Sequence, residues 1–405
     1  MFHLPHPRAA LLMLLVIPLA VTLAPSRSAA APTAAPPCGS GAAGAARVQP
    51  RLGDGVATAA VAYLQAQARS VLGVVQARAL AAHCVPGSPV AAREATLAVG
   101  ARRLAHDLGH TTTAVSCRVT IGKVRLSRAC GTATVAAHVV SLDTWTDRKG
   151  HSDTEGEALD HTLALVQSRG RWLVARDSYS SDLTPRLLED AGAPPAAVRA
   201  AADRLETRAR SLTPVVATGA PLIDAPPPGA VLPASVRPAY VAKLTFDRAA
   251  AKAYADRYAL SYNPTYTSFS ADCADFGSQV MFAGGYPQFG DTYASGWWYD
   301  KHGTSSPGND SYSHAWIAVA NQQGAWNLKY TDIVASIASV GAGDYVYYDW
   351  TGNGTWDHVA ELVGTNSAGQ KVVDAHTTDH YHVFWKLGTS ATHYRFARTR
   401  ATIVI

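Results

Sequence analysis

One thiol and two histidines carry the strongest chemical signal in this sequence. Of five cysteines, Cys38, Cys84, Cys117 and Cys130 lie in the N-terminal half, and Cys273 stands alone far downstream. Arg8, the apolar run Ala9–Ala24 and the small residues Ser28-Ala29-Ala30 read as an export signal with cleavage after about residue 30. An exported chain meets an oxidising space, so cysteines pair first, and an odd count leaves one over. Cys117 and Cys130 flank an expected hairpin and are read as one bridge, with Cys38–Cys84 as the second. Cys273 is then the free thiol. It falls in Ser270-Ala271-Asp272-Cys273-Ala274-Asp275-Phe276, which runs on to Gly284-Gly285. Ser and Asp suit a helix N-cap and the glycines suit its stop. A thiol in the first helical turn meets unpaired backbone N–H groups and the positive end of the dipole, which favour the nucleophilic thiolate. The competing reading is a small buried core cysteine.

The elements that must position a base follow downstream. Gly343–Asp349, Trp356–Gly364 and Lys371–His376 read as successive strands, with Asn366-Ser367-Ala368-Gly369 as a turn. His358 would open one strand and His376 end its antiparallel neighbour, where the two could stand side by side on one face. A helix-borne Cys against an antiparallel sheet carrying a histidine base and a second polar group is a Cys–His acyl-transfer site. His376, His380 and His382 invite a metal reading, but on a strand and loop they need not converge. No metal and no cofactor are expected.

Tyr262-Asn263, Asp272-Cys273-Ala274-Asp275-Phe276-Gly277-Ser278-Gln279, Gly284-Gly285, Trp297-Trp298-Tyr299, Gly343-Asp344, Asp357-His358-Val359 and Asp374-Ala375-His376-Thr377 together resemble the amidase domain of secreted Gram-positive proteins. That family is similar to the papain-like NlpC/P60 and CHAP hydrolases. The resemblance covers about residues 245–400. It implies a papain-like fold, with Cys273 as nucleophile, His358 as base and His376 as orienter. Asp374, two positions before His376 on the same strand face, competes for that last role. Asp275 stands where the family usually has Asn, and a charge so close could raise the thiol pKa. The implied reaction is amide hydrolysis in peptidoglycan, at the muramoyl–alanine bond or within the stem peptide. Tyr262, Asn263, Trp297, Trp298 and Trp316 are candidate substrate contacts, though buried aromatics are as often core. The alternatives are a non-catalytic wall-binding or surface protein on the same scaffold and a thiol-dependent acyltransferase.

The rest of the chain frames this domain. With 405 residues, 48% hydrophobic and 16% charged, it is too apolar for a disordered chain. A net charge of +5 does not suggest a nucleic-acid partner. No apolar run past the N-terminus is long enough for a membrane span. Residues 31–53 are rich in Ala, Pro and Gly and are expected to be disordered. Residues 54–212 turn from helical to alternating patterns near Thr113, which predicts an α+β accessory domain resembling the nuclear-transport-factor or cystatin-like class. Residues 213–238 are a Pro-rich linker, and 239–405 form the catalytic unit. Residues 32–242 hold 22 Lys/Arg and 16 Asp/Glu, against 10 and 14 in residues 245–405. A basic accessory domain could hold an anionic wall polymer. The expected location is secreted or extracellular, at the cell wall.

Overall fold

The structure, a computed structural model, describes residues 45–127, 131–212, 214–215, 243–303 and 307–404. The signal segment, residues 31–44 and nearly all of the Pro-rich stretch lie outside the described residues. The N-terminal half opens with helices α1 (Ala45–Arg69), α2 (Val74–Ala81) and α3 (Pro89–Asp107). Residues 45–53, expected to be disordered, are the first turns of α1. Val56, Ala60, Tyr63 and Leu64 recur at helical spacing and are buried, giving α1 an apolar stripe that needs a sheet to cover it. Strands β1 (His110–Leu126), β2 (Thr132–Asp147), β3 (Ser152–Ser168) and β4 (Arg171–Ser178) supply that sheet. Ala133, Val135, Ala137 and Val139 alternate inward along β2 and pack with α1, Leu163, Leu165 and Val174. Helices α4 (Thr184–Asp190) and α5 (Pro195–Ala209) follow.

The C-terminal half contains α6 (Arg248–Tyr258), α7 (Cys273–Ala283), α8 (His314–Ile317) and α9 (Val319–Lys329). Strands β5 (Thr331–Val334), β6 (Asp344–Asp349), β7 (His358–Thr365), β8 (Lys371–Ala375), β9 (Asp379–Phe384) and β10 (His393–Thr399) come after them. One face of β6 and β7 carries Tyr345, Tyr347, Val359 and Val363 against Phe276, Val280 and Met281 of α7. The other face carries Val346, Tyr348, Ala360 and Leu362, packed with Leu205 of α5 in the N-terminal half. Strands covered on both faces show near-continuous burial, and every residue of β6 is buried.

The halves are joined through a single antiparallel sheet, ordered β1-β2-β3-β9-β8-β7-β6-β10-β5, with β4 also on β3. The joint is short: Asp379 pairs with Ala158, His380 with Glu157 and Tyr381 with Gly156. Gly156 sits in a crowded place there. A Cβ at this position would come within 2.5 Å of Leu142 Cδ2 and 3.3 Å of Leu260 Cδ1 from the other half. The α+β expectation therefore holds, with a large antiparallel sheet as its centre.

Two expectations fail. The hairpin expected between Cys117 and Cys130 does not turn there: β1 runs through to Leu126, with a register shift between Ile121 and Val124. Cys117 thus sits in mid-strand opposite Ser141, nine residues before the strand end. At about 3.3 Å per residue that is roughly 30 Å from the real turn. The Cys117–Cys130 and Cys38–Cys84 bridges are not formed: Cys84 and Cys117 are free thiols, while Cys38 and Cys130 lie outside the described residues. Cys84 is instead turned into the core, its thiol donating to the Leu80 carbonyl at 3.6 Å.

Candidate active site

Cys273 is the first residue of α7, as its spacing predicts. Asp272 precedes it but does not cap the helix. Its Oδ1 accepts the Phe269 amide at 2.6 Å, and its Oδ2 meets His376 Nδ1 at 2.8 Å. The other nitrogen of His376 lies 2.8 Å from the Tyr258 carbonyl, and its ring stacks on Phe276 at 4.0 Å. Burial pushes the Asp272 carboxyl well above the usual carboxylate range and the His376 imidazole below its ordinary value. Both groups therefore rest uncharged, the acid proton shared with Nδ1 and Nε2–H donated to Tyr258. His376 has no nitrogen free.

The thiol lies against the end of β8. The β7–β8 pairing reaches no further than Glu361 and Asp374, which leaves a gap in the sheet beside Val359. The thiol lies near that gap, where the Val359 backbone N–H and the Thr377 hydroxyl favour its ionised form. Thr377 makes the gap: its φ of 87° turns the chain away, a genuine outlier for a β-branched residue. Its Oγ1 accepts the backbone amides of Asp272 at 2.8 Å and Cys273 at 3.1 Å. Cys273 is 3% exposed, and burial pushes its thiol up to about 11, more than the neighbouring hydrogen-bond donors recover. The expected low thiol pKa is thus reversed: desolvation outweighs the helix terminus.

His358 and His376 do not share a face. Glu361 pairs with Asp374, so His376, two residues beyond Asp374, follows the face of Glu361 and Val359, and His358 takes the opposite one. His358 lies instead on the α5 side of the sheet, stacked on Trp350 at 5.3 Å and tilted against Tyr348 at 5.4 Å. Its Nε2 has no hydrogen-bond partner and stands 3.7 Å from Asp182 Oδ2. Burial lowers the His358 pKa to about 4, against the raising influence of Asp182. Asp182 Oδ1 pairs with His380 Nε2. Asp374 faces neither histidine named above; its Oδ1 accepts the His382 amide at 2.7 Å.

The remaining candidates serve the core. Trp297 and Trp316 are fully buried and stack at 4.8 Å. Trp297 Nε1 donates to Ser278 Oγ at 2.8 Å, so neither tryptophan lines a groove. Half-buried Trp298 donates to the Thr292 carbonyl. Asn263 turns its own loop, accepting from Thr265 and donating to Tyr254. Tyr262 packs 4.4 Å from the His376 ring and donates to Asp379. Asp275 points to Trp316 Nε1, which donates to it at 2.6 Å, and to Gln279; its departure from the family pattern is accommodated on the far side of α7. No sequence motif marks Asp182, Arg208 or the role of Thr377. Two donor clusters could hold a metal ion, Glu157–Asp182–His380 and Asp256–Asp374–His382, with each set's ligand atoms within 4.8 Å of one another.

Residues 245–398 match the family described as "Putative amidase domain". This stretch carries the thiol and both histidines. The uncharacterized protein YhbB of Bacillus subtilis (strain 168) is 28% identical over 162 residues, 39% of this chain and 50% of that protein. The chain therefore spans about half the length of that relative. Among solved structures, the intermembrane space region of the chloroplast protein ARC6 aligns with 33% of this chain and 95% of its own. The identity is 12% and the TM-score 0.22.

Proposed function

We propose that the chain is a cysteine-dependent amide hydrolase, with Cys273 as nucleophile and His358 as base. The observation that carries this reading is the thiol near the sheet gap beside Val359, at a helix N-terminus, within a matched amidase region. His358 directly precedes the residue whose amide favours the ionised thiol. His376, with both nitrogens engaged, holds Asp272 and the start of α7 in place. With the thiol pKa at about 11 and the imidazole at about 4, the resting pair at neutral pH is neutral thiol and neutral imidazole. Attack on an amide carbon then requires transfer of the thiol proton to His358 as the C–S bond forms. The imidazolium returns that proton to the leaving amine, and water drawn by the same base cleaves the thioester. The two amides that converge on Thr377 Oγ1 mark the place for the carbonyl oxygen once that hydroxyl is displaced.

The fold reading is papain-like, of the NlpC/P60 kind, in the C-terminal half, and the substrate reading is peptidoglycan outside the cell. The family resemblance supports both. An anionic wall polymer would lie on the outer basic surface of the N-terminal half. The burial of Cys273 favours a second reading, a wall-binding protein on an inactive scaffold. Mass spectrometry of purified peptidoglycan after incubation separates them. Wild type should release new amines, while Cys273→Ser and His358→Ala should each lose at least about 10³-fold in rate. Equal products from Cys273→Ser and wild type would end the catalytic reading.

A further inference from the structure

The N-terminal half reaches the reacting groups directly. Arg208 of α5 donates to the carbonyls of Ser270 at 3.4 Å and Ser180 at 3.3 Å, and to that of Thr377. It therefore ties down both chain segments that flank the thiol. The Asp182 amide donates to Thr378 Oγ1 at 3.1 Å, fixing the loop that carries the Asp182 carboxylate. That carboxylate is 3% exposed and has one oxygen on His380; the other, Oδ2, has no hydrogen-bond partner and faces the equally unpartnered Nε2 of His358 across 3.7 Å. Two buried, unpaired polar atoms at that separation cost stability unless they serve each other.

The ring geometry completes the argument. Nδ1 is the imidazole nitrogen nearer the backbone, and so nearer the sheet gap beside which the thiol lies. Nε2 is the distal one and is turned to Asp182. We propose that Asp182 is the positioning residue of His358, so that the site is completed only when the two halves dock. This rests on the reading of Cys273 and His358 as nucleophile and base. Asp182 holds the proton on Nε2, which leaves the Nδ1 lone pair for the thiol proton, and it stabilises the imidazolium that results. The groups facing His358 are Asp182, His380 and Arg208, with Glu157 behind His380. On the sulfur side the titratable neighbour is Asp272.

The test uses the full chain and two readouts. In ¹⁵N NMR of histidine-labelled wild type, with His358 identified by its loss in His358→Gln, the Nε2–H tautomer is expected. The Nδ1–H tautomer overturns the proposal, and that result does not depend on an Asp182 variant folding. In iodoacetamide alkylation of Cys273 from pH 5 to 11, Asp182→Asn should react at least about 10-fold more slowly at pH 7. Added to His358→Gln, the same change should alter the rate less than about twofold. An unchanged rate in Asp182→Asn, or an equal loss in both backgrounds, overturns the proposal. So does a stoichiometric metal in wild type that Asp182→Asn lacks, since the cluster would then be a metal site. If no amide is hydrolysed but the alkylation coupling is present, the hydrolase reading fails and the positioning role stands.

Discussion

Replacing Asp374 with Asn should stabilise the protein in a way that depends steeply on pH. Asp374 is fully buried on β8, directly opposite Glu361 of β7. One Asp374 oxygen takes the His382 amide; the other, and both oxygens of Glu361, have no hydrogen-bond partner. Burial pushes Asp374 up to about 7 from an ordinary 3.8 and Glu361 well above the carboxylate range. A raised acid keeps its proton when folded and releases it when unfolded. Its contribution is therefore complete below pH 3.8 and is lost as pH rises to about 7. At 1.36 kcal/mol per pH unit, that gap corresponds to about 4 kcal/mol. An Asn at 374 has no proton to lose, can still accept the His382 amide, and can offer an N–H to Glu361. Urea unfolding of wild type and Asp374→Asn at pH 4, 5.5, 7 and 8 measures the difference. The variant should match wild type within about 1 kcal/mol at pH 4 and exceed it by roughly 2–4 kcal/mol at pH 8. A difference that stays flat across this range would show that Asp374 is ionised in the folded state, and the burial argument would be wrong.

Two further outcomes follow from the same packing. Cys273 in wild type should alkylate only slowly at pH 7 and accelerate toward pH 11, because burial holds the thiol protonated; a plateau below pH 8.5, the value for a free thiol, would contradict the occluded site. Residues 239–405 expressed alone should be molten by near-UV circular dichroism. Without the N-terminal half, β9 loses its pairing with β3, and Leu362, Tyr348 and Val373 lose the cover of Leu205. A well-ordered monomer would show that the interface adds little.

The helix-borne thiol was legible because a capping-type Ser270-x-Asp272 and a terminal Gly284-Gly285 bracket one short apolar face. The strands bearing the histidines were legible from β-branched and aromatic runs between turns. Their facing was not. Side-chain direction alternates every residue, so a one-residue difference in register exchanges faces. The Glu361–Asp374 pairing puts His376 on the face of Val359 and not on that of His358, with a register shift between Leu362 and Gly364 further along. Periodicity carries no information on such an offset. Asp182 was invisible for a different reason: it lies far from the thiol in sequence, in a segment with no motif, and acquires its role only from the β3–β9 pairing. The tryptophans misled because their size suits a sugar-binding groove and a core equally, and burial decided for the core.

The shared sheet also bears on how this chain can be cut and rebuilt. Among the described residues, the contacts between halves include β3 with β9, Arg208 with Thr377, Asp182 with His380 and Thr378, and Leu205 with the face of β6 and β7. None depends on the peptide chain between Val215 and Lys243. A protease that severs only that stretch would leave two pieces held side by side like a split enzyme, with the reacting groups still aligned. Grafting the C-terminal half onto another carrier would discard the wall against which His358 rests.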